Sequence, residues 1–217
     1  MDGAKDQKIL NLFRNPIQVE VFVGRGHALT KWSLPQKLLC RYSRFFDKTG
    51  DSADPVSVTL SEDDPDAFEM FVQWLLIGGG AIETSKMTSS HRYLQAWILG
   101  QKLKCPVFQD YVMLHLLKYH KDPIAEPRDP FSPESLEKVC KETVSGSRLR
   151  DWAIHQFLYD SIKRPIYYTA GEWARVIHAS HDIEKDVLDS LMNLGPAAAE
   201  APCQQSSKYL MTCVFEK

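Results

Sequence analysis

The chain has 217 residues, with 26 Lys plus Arg against 28 Asp plus Glu and a formal net charge of -2. That length suits one large domain or a domain with an extension, and it allows roughly 70% of the unfolded surface to be buried. The near-neutral balance supplies no global field toward nucleic acid or an anionic membrane, so neither is expected as a partner. No apolar run approaches the roughly 20 residues that span a bilayer, and MDGAKDQK lacks the apolar core of a signal peptide. A soluble, intracellular protein is the expectation. Five widely spaced cysteines, Cys40, Cys105, Cys140, Cys203 and Cys213, form no metal knuckle and are expected as reduced, mostly buried thiols.

In chain order, Ile9, Leu10, Leu12 and Phe13 make a short apolar cluster that is stable as a helical turn only if it docks. Ile17, Val19, Val21 and Val23 alternate with Gln18, Glu20 and Phe22, which predicts a half-buried strand. After the turn Gly24-Arg25-Gly26, residues 27–34 return as an antiparallel partner until Pro35, which lacks the donor a ladder needs. A short helix over 36–42 turns Leu38 and Leu39 inward, and Arg44-Phe45-Phe46 adds a second apolar turn. Val56, Val58 and Leu60 give a third strand.

The clearest local instructions follow. Asp64 is a capping acceptor, Pro65 fits the first helical position, and Asp66 favours the positive end of the dipole. Phe68, Phe71, Val72, Leu75 and Leu76 recur at steps of three and four, and Met70, Trp74 and Ile77 widen the stripe. This helix must be buried on most sides until Gly78, Gly79 and Gly80 stop it. Residues 81–90 read as a surface loop or an edge strand. Ser89 or Ser90 caps a helix with Leu94, Trp97, Ile98 and Gln101 on one face, closed by Cys105-Pro106. The next helix, to His120, carries Val107, Tyr111, Leu114 and Leu117 or Lys118 on one side.

Four prolines over 121–133 mark the domain boundary. Ser132-Pro133-Glu134 restarts a helix carrying Leu136, Val139 and Cys140 to Ser145-Gly146. Ser147 caps another, with Leu149, Trp152, Ala153 and Phe157 on one face and Ile154, Leu158 and Ile162 beside it. A further helical region runs from Trp173 through Ile183 and Val187 to Leu194, stopped by Gly195-Pro196. The stretch from Tyr209 to Phe215 reads as a strand or a docked tail. The expected organisation is an N-terminal segment over 1–16, an α+β domain over 17–121, a linker over 122–131, a helical extension over 132–195 and a flexible tail over 196–217.

Residue patterns for chemistry are weak. Gly24-Arg25-Gly26 lacks the third glycine and helix start of a dinucleotide loop and reads as a hairpin turn. His178 and His181, with Asp182 and Glu184 nearby, read as a solvated helix end, since no matching pair completes a metal set. His115 and His120, five apart, do not share a helix face. Cys40 sits among Leu38, Leu39 and Tyr42 as a packing residue, and Trp32, Trp74, Trp97 and Trp152 lie on apolar stripes. No enzyme activity and no cofactor are expected.

The order of the motifs resembles a BTB/POZ domain. The resemblance rests on QVEVFVG, on residues 38–46, on LSEDDPDAFEMFVQWLLIG, and on Leu99-Gly100-Gln101-Lys102-Leu103 with Cys105-Pro106; it covers about the first 120 residues. LSEDDP and WLLIG look most similar to fungal BTB proteins with a helical extension. Gln18 stands where many members have aspartate, and Pro35-Gln36 where His-Lys is usual, so the charged co-repressor pocket of the repressor branch is not implied. The resemblance implies a small sheet capping a helical cluster, and a non-catalytic protein-interaction role through self-association or as an adaptor for a cullin ubiquitin ligase. It points to Leu12, Phe13, Leu34 and Phe45 as dimer contacts, and to Ile82, Glu83 and Tyr111 as cullin-facing residues.

Overall fold

The computed structural model describes residues 17–49, 56–77, 89–121, 131–163, 168–195 and 200–211. It is a mixed α+β protein in which helix predominates, with three strands and eight α-helices among the described residues. They divide into two compact units, residues 1–87 with 95–109, and residues 88–94 with 110–217. The division runs through two helices rather than through the proline-bearing stretch, whose residues 122–130 lie outside the described set.

In the first unit, β1 (Gln18–Val23) is the central strand of a sheet in the order β2-β1-β3. It pairs antiparallel with β2 (Thr30–Pro35), Val21 opposite Trp32, and parallel with β3 (Val56–Leu60), Val21 opposite Val58. The period of two sends Val19, Val21 and Val23 inward, all fully buried. Glu20 and Phe22 take the other face, where Lys31 pairs with Glu20 at 2.6 Å and lies over the Phe22 ring. The hairpin turn needs Gly24: its φ is +85°, and a Cβ there would stand 2.9 Å from both the Ala28 carbonyl oxygen and Pro65. Parallel pairing requires a crossover. It contains α1 (Gln36–Tyr42), with Leu38 and Leu39 buried, and a 3-10 segment, Arg44–Thr49. The Ser43 hydroxyl donates to the Leu103 carbonyl at 2.5 Å.

Helix α2 (Pro65–Leu76) begins as its sequence dictates, with Asp64 accepting from the Asp66 and Ala67 amides. Phe68, Phe71, Val72, Trp74 and Leu75 are buried, while Leu76 and Ile77 are about half exposed, because the apolar stripe outlasts the core it packs on. Gly78–Gly80 fall outside the described residues. An aromatic chain links the layers: Trp32 meets Phe68 (6.1 Å), Phe71 stacks on Trp74 (6.0 Å), and Phe108 contacts both Phe71 and Trp74. Helix α3 (Ser90–Lys102) and α4 (Pro106–Lys121) are joined by a tight turn. Gly100 permits their approach, since a Cβ there would lie 2.8 Å from Gln109.

Helix α4 does not bury the side that groups Val107, Tyr111 and Leu114. Phe108, Val112, Met113, Leu116 and Leu117 are buried, whereas Val107 is exposed and Tyr111 and Leu114 are intermediate. Gln109 and Asp110 are buried together with these apolar residues, so the polar positions of the helix do not mark its outward face, and the stripe ending in Lys118 is the outward one.

The second unit is helical. Ser132 caps α5 (Pro133–Glu142) and Ser147 accepts from the Arg150 amide at the start of α6 (Arg148–Lys163). The expected further helical region is two helices, α7 (Ala170–Ile177) and α8 (His181–Leu194), divided because Ser180 caps a new start. Phe131, counted with the linker in the sequence, is fully buried against Trp152 at 5.4 Å. Arg150, itself buried, donates to the Cys140 and Thr143 carbonyls and forms an ion pair with Asp186 at 2.6 Å, without a well-aligned hydrogen bond between them. One side chain thereby ties α5, α6 and α8.

The expected flexible tail is in part a docked 3-10 segment, Pro202–Tyr209, that contacts α6. Tyr209 is fully buried and hydrogen-bonded to His155, and the Met211 amide donates to Asp110. An aromatic ring with a partnered hydroxyl fastens a chain that is otherwise small and polar.

Trp74 is 2% exposed and touches three other rings, so Trp74→Ala is expected to destabilise by about 3–5 kcal/mol in urea unfolding. A loss below about 1 kcal/mol would contradict the buried position of α2.

Candidate interaction surfaces

Groups with chemical potential are mostly spent on structure. Burial pushes the Cys105 and Cys140 thiols up to about 11, against a backbone hydrogen bond at Cys105 and the nearby Arg150 charge at Cys140. Neither is a ready nucleophile. Cys40 donates to the Phe46 carbonyl at 3.2 Å, which agrees with a packing role, and Cys213 lies outside the described residues.

His178 closes α7 and His181 opens α8, so the two do not share a helix. Among the described residues no group of three or more His, Cys, Asp or Glu is arranged to hold a metal ion, and no described helix is long and apolar enough to cross a membrane. Burial raises the Tyr209 phenol, helped by the Asp151 charge, while burial also raises the Asp151 carboxyl against the opposing Arg148 and Lys208. These shifts belong to the docked tail.

The sequence-derived contact residues fare unequally. Leu34 is 6% exposed, its side chain taken up by the core of the first unit, so it offers little to a partner. Phe45 is intermediate in exposure and edge-on to Phe46, with its amide donating to the Leu103 carbonyl. Leu12, Phe13, Ile82 and Glu83 lie outside the described residues. Tyr111, in the second unit, is intermediate, its ring 4.5 Å from that of His115, whose pKa is lowered by burial and by Lys118.

Two apolar surfaces were not singled out by the sequence. Leu76 and Ile77 end α2 facing outward in the first unit. In the second, Leu188, Leu191 and Met192 are exposed on α8, Met192 at 83%, while Ile183 and Val187 one and two turns earlier are buried. The signal for the latter is the shift of the apolar stripe along α8: Leu188 and Met192 are one residue out of step with Ile183 and Val187.

No family model matches the sequence, and no curated protein matches it.

Iodoacetamide at pH 8 is expected to label Cys105 and Cys140 only after denaturation, because burial and a thiolate fraction lowered about a hundredfold act together. Peptide mapping that finds either labelled as quickly in the native chain would contradict their assignment as buried packing residues.

Proposed function

We propose that the chain is a non-catalytic protein-interaction module of the BTB/POZ type that self-associates through its first unit. The observation that carries this reading is that the motifs behind the resemblance belong to one compact unit. QVEVFVG is the central strand, residues 38–46 form α1 and the following 3-10 turn, LSEDDPDAFEMFVQWLLI joins β3 to α2, and Leu99–Cys105 closes α3 against Ser43 and Phe45. Four sequence fragments, each weak alone, thus cooperate in a single core. Self-association draws on Phe45 and on Leu12 and Phe13, the apolar pair of the N-terminal segment, rather than on Leu34.

A second reading, an adaptor for a cullin-type scaffold, is favoured by the exposed Leu76 and Ile77. They precede Ala81-Ile82-Glu83, the apolar-x-Glu element that the resemblance assigns to cullin contact. In either role the helical second unit is the part left to recruit another protein.

Light scattering on the purified chain is expected to give twice the chain mass, and Leu12→Asp with Phe13→Asp to give a folded monomer. A wild-type monomer at tens of micromolar would overturn self-association. A stable mixed complex with the N-terminal domain of a BTB-binding cullin, lost in Ile77→Asp, would establish the adaptor reading, and failure to co-elute would remove it.

A further inference from the structure

The C-terminal segment Pro202–Tyr209 and the α6 surface beneath it have the make-up of a peptide in a binding groove. Within residues 200–211, Pro202 and Tyr209 alone are buried, and the others are intermediate or exposed. The segment has little order of its own: it follows a 3-10 path, no side chain caps its start, and Gln205 interrupts it at non-helical angles. Ordering such a backbone is costly and two buried side chains offset only part of that, so the segment belongs to the portion of the chain that opens well before the helices beneath it.

What the segment covers is polar and specific. The Tyr209 ring is 0% exposed, with its centroid 6.2 Å from that of His155, and its hydroxyl is hydrogen-bonded to the His155 Nδ1. Two residues on, the Met211 amide donates to the Asp110 carboxylate, although the Met211 side chain is exposed. One residue before Tyr209, the exposed Lys208 holds its ammonium 5.8 Å from the Tyr209 ring and within electrostatic reach of Asp151 on α6. Asp151 also opposes ionisation of the Tyr209 phenol. A phenol, a cation and a backbone N–H are groups that any polypeptide can present, and all the residues that receive them lie in the second unit.

We propose that this groove docks a partner protein through a segment in which a basic residue directly precedes an unphosphorylated tyrosine, and that the C-terminal segment holds the place until such a partner displaces it. His155 at the base of the pocket selects the phenol, and Asp151 favours the basic residue. The same carboxylate, beside a buried ring, excludes a phosphate ester on the tyrosine by repulsion and desolvation. Asp110 holds the backbone beyond the ring, which takes extended angles at Leu210. That the displacing polypeptide belongs to a partner rests on the reading of the chain as an interaction module; the groove itself rests on the tail contacts alone.

The test is fluorescence anisotropy of a labelled peptide with the sequence of residues 200–211, titrated under reducing conditions with the full chain, with Tyr209→Ala and with Met211→Pro. Tyr209→Ala leaves the pocket to the peptide, and the wild type, whose own tail competes, is expected to bind at least about tenfold more weakly than this variant. Met211→Pro removes the amide that Asp110 accepts at an exposed position, so it guards against misfolding of the tyrosine variant and is also expected to bind more tightly than wild type. Peptides carrying alanine or phosphotyrosine in place of the tyrosine are expected to bind none of the three. Failure of both variants to bind, wild type binding as tightly as Tyr209→Ala, or equal binding of the alanine or phosphotyrosine peptide would each overturn the groove. A wild-type dimer that becomes a monomer in Tyr209→Ala would assign the groove to the tail of a second copy and overturn the partner. A monomeric wild type that shows the expected order of peptide binding would remove self-association and leave the groove standing.

Discussion

Burial of the aromatic face of α2 beneath the three-stranded sheet is the constraint from which the first unit follows. Phe68, Phe71 and Trp74 stand three residues apart on that helix and bridge from Trp32 on β2 to Phe108 on α4. A helix that presents three large rings at this spacing has no stable solvent-exposed form. The sheet supplies one wall because β1 directs three valines to a single face, and its parallel pairing with β3 brings the chain directly to the Asp64 cap. What the core does not cover is equally determined: once the wall ends, Leu76 and Ile77 remain at the surface.

The second unit is organised differently. Its helices also bury apolar stripes, but Arg150, His155, Gln156 and Asp160 on α6 are buried with them. Arg150 joins three helices, Gln156 donates to Asp160 at 3.0 Å, and His155 holds Tyr209. Buried ionic and polar pairs gain little net stability because desolvation opposes their attraction, yet breaking one leaves an uncompensated group. Such contacts fix register among α5, α6 and α8, and they explain why a polar C-terminal segment has a defined seat. The same helical unit carries an exposed apolar surface at the outer end of α8.

Much of the architecture was legible locally. Asp64-Pro65, Ser132-Pro133 and Ser147 are signals read within a few residues, and each starts a helix where expected. The alternation in β1 and the inward pair Leu38-Leu39 are likewise local. The failures are all tertiary. The inward face of α4 is not marked by its polar residues, since Gln109 and Asp110 are buried with it, and the break between α7 and α8 turned on Ser180, a capping residue inside a continuous apolar period. Phe131 looked like part of a linker, and for Tyr209 a strand and a docked tail stayed open, because a single aromatic residue outside a periodic run has nothing to reveal its partner.

Hydrogen exchange of the intact chain, followed by mass spectrometry at low and high protein concentration, tests the central claim most directly: an invariant α2-centred core with function carried on its surface. The account predicts that β1 and residues 68–75 of α2 exchange last and at rates independent of concentration. It also predicts that the segment around Phe45 gains protection as concentration rises. Early exchange of α2, at rates like those of the outer end of α8, would contradict the account, as would protection around Phe45 that stays constant across the dilution.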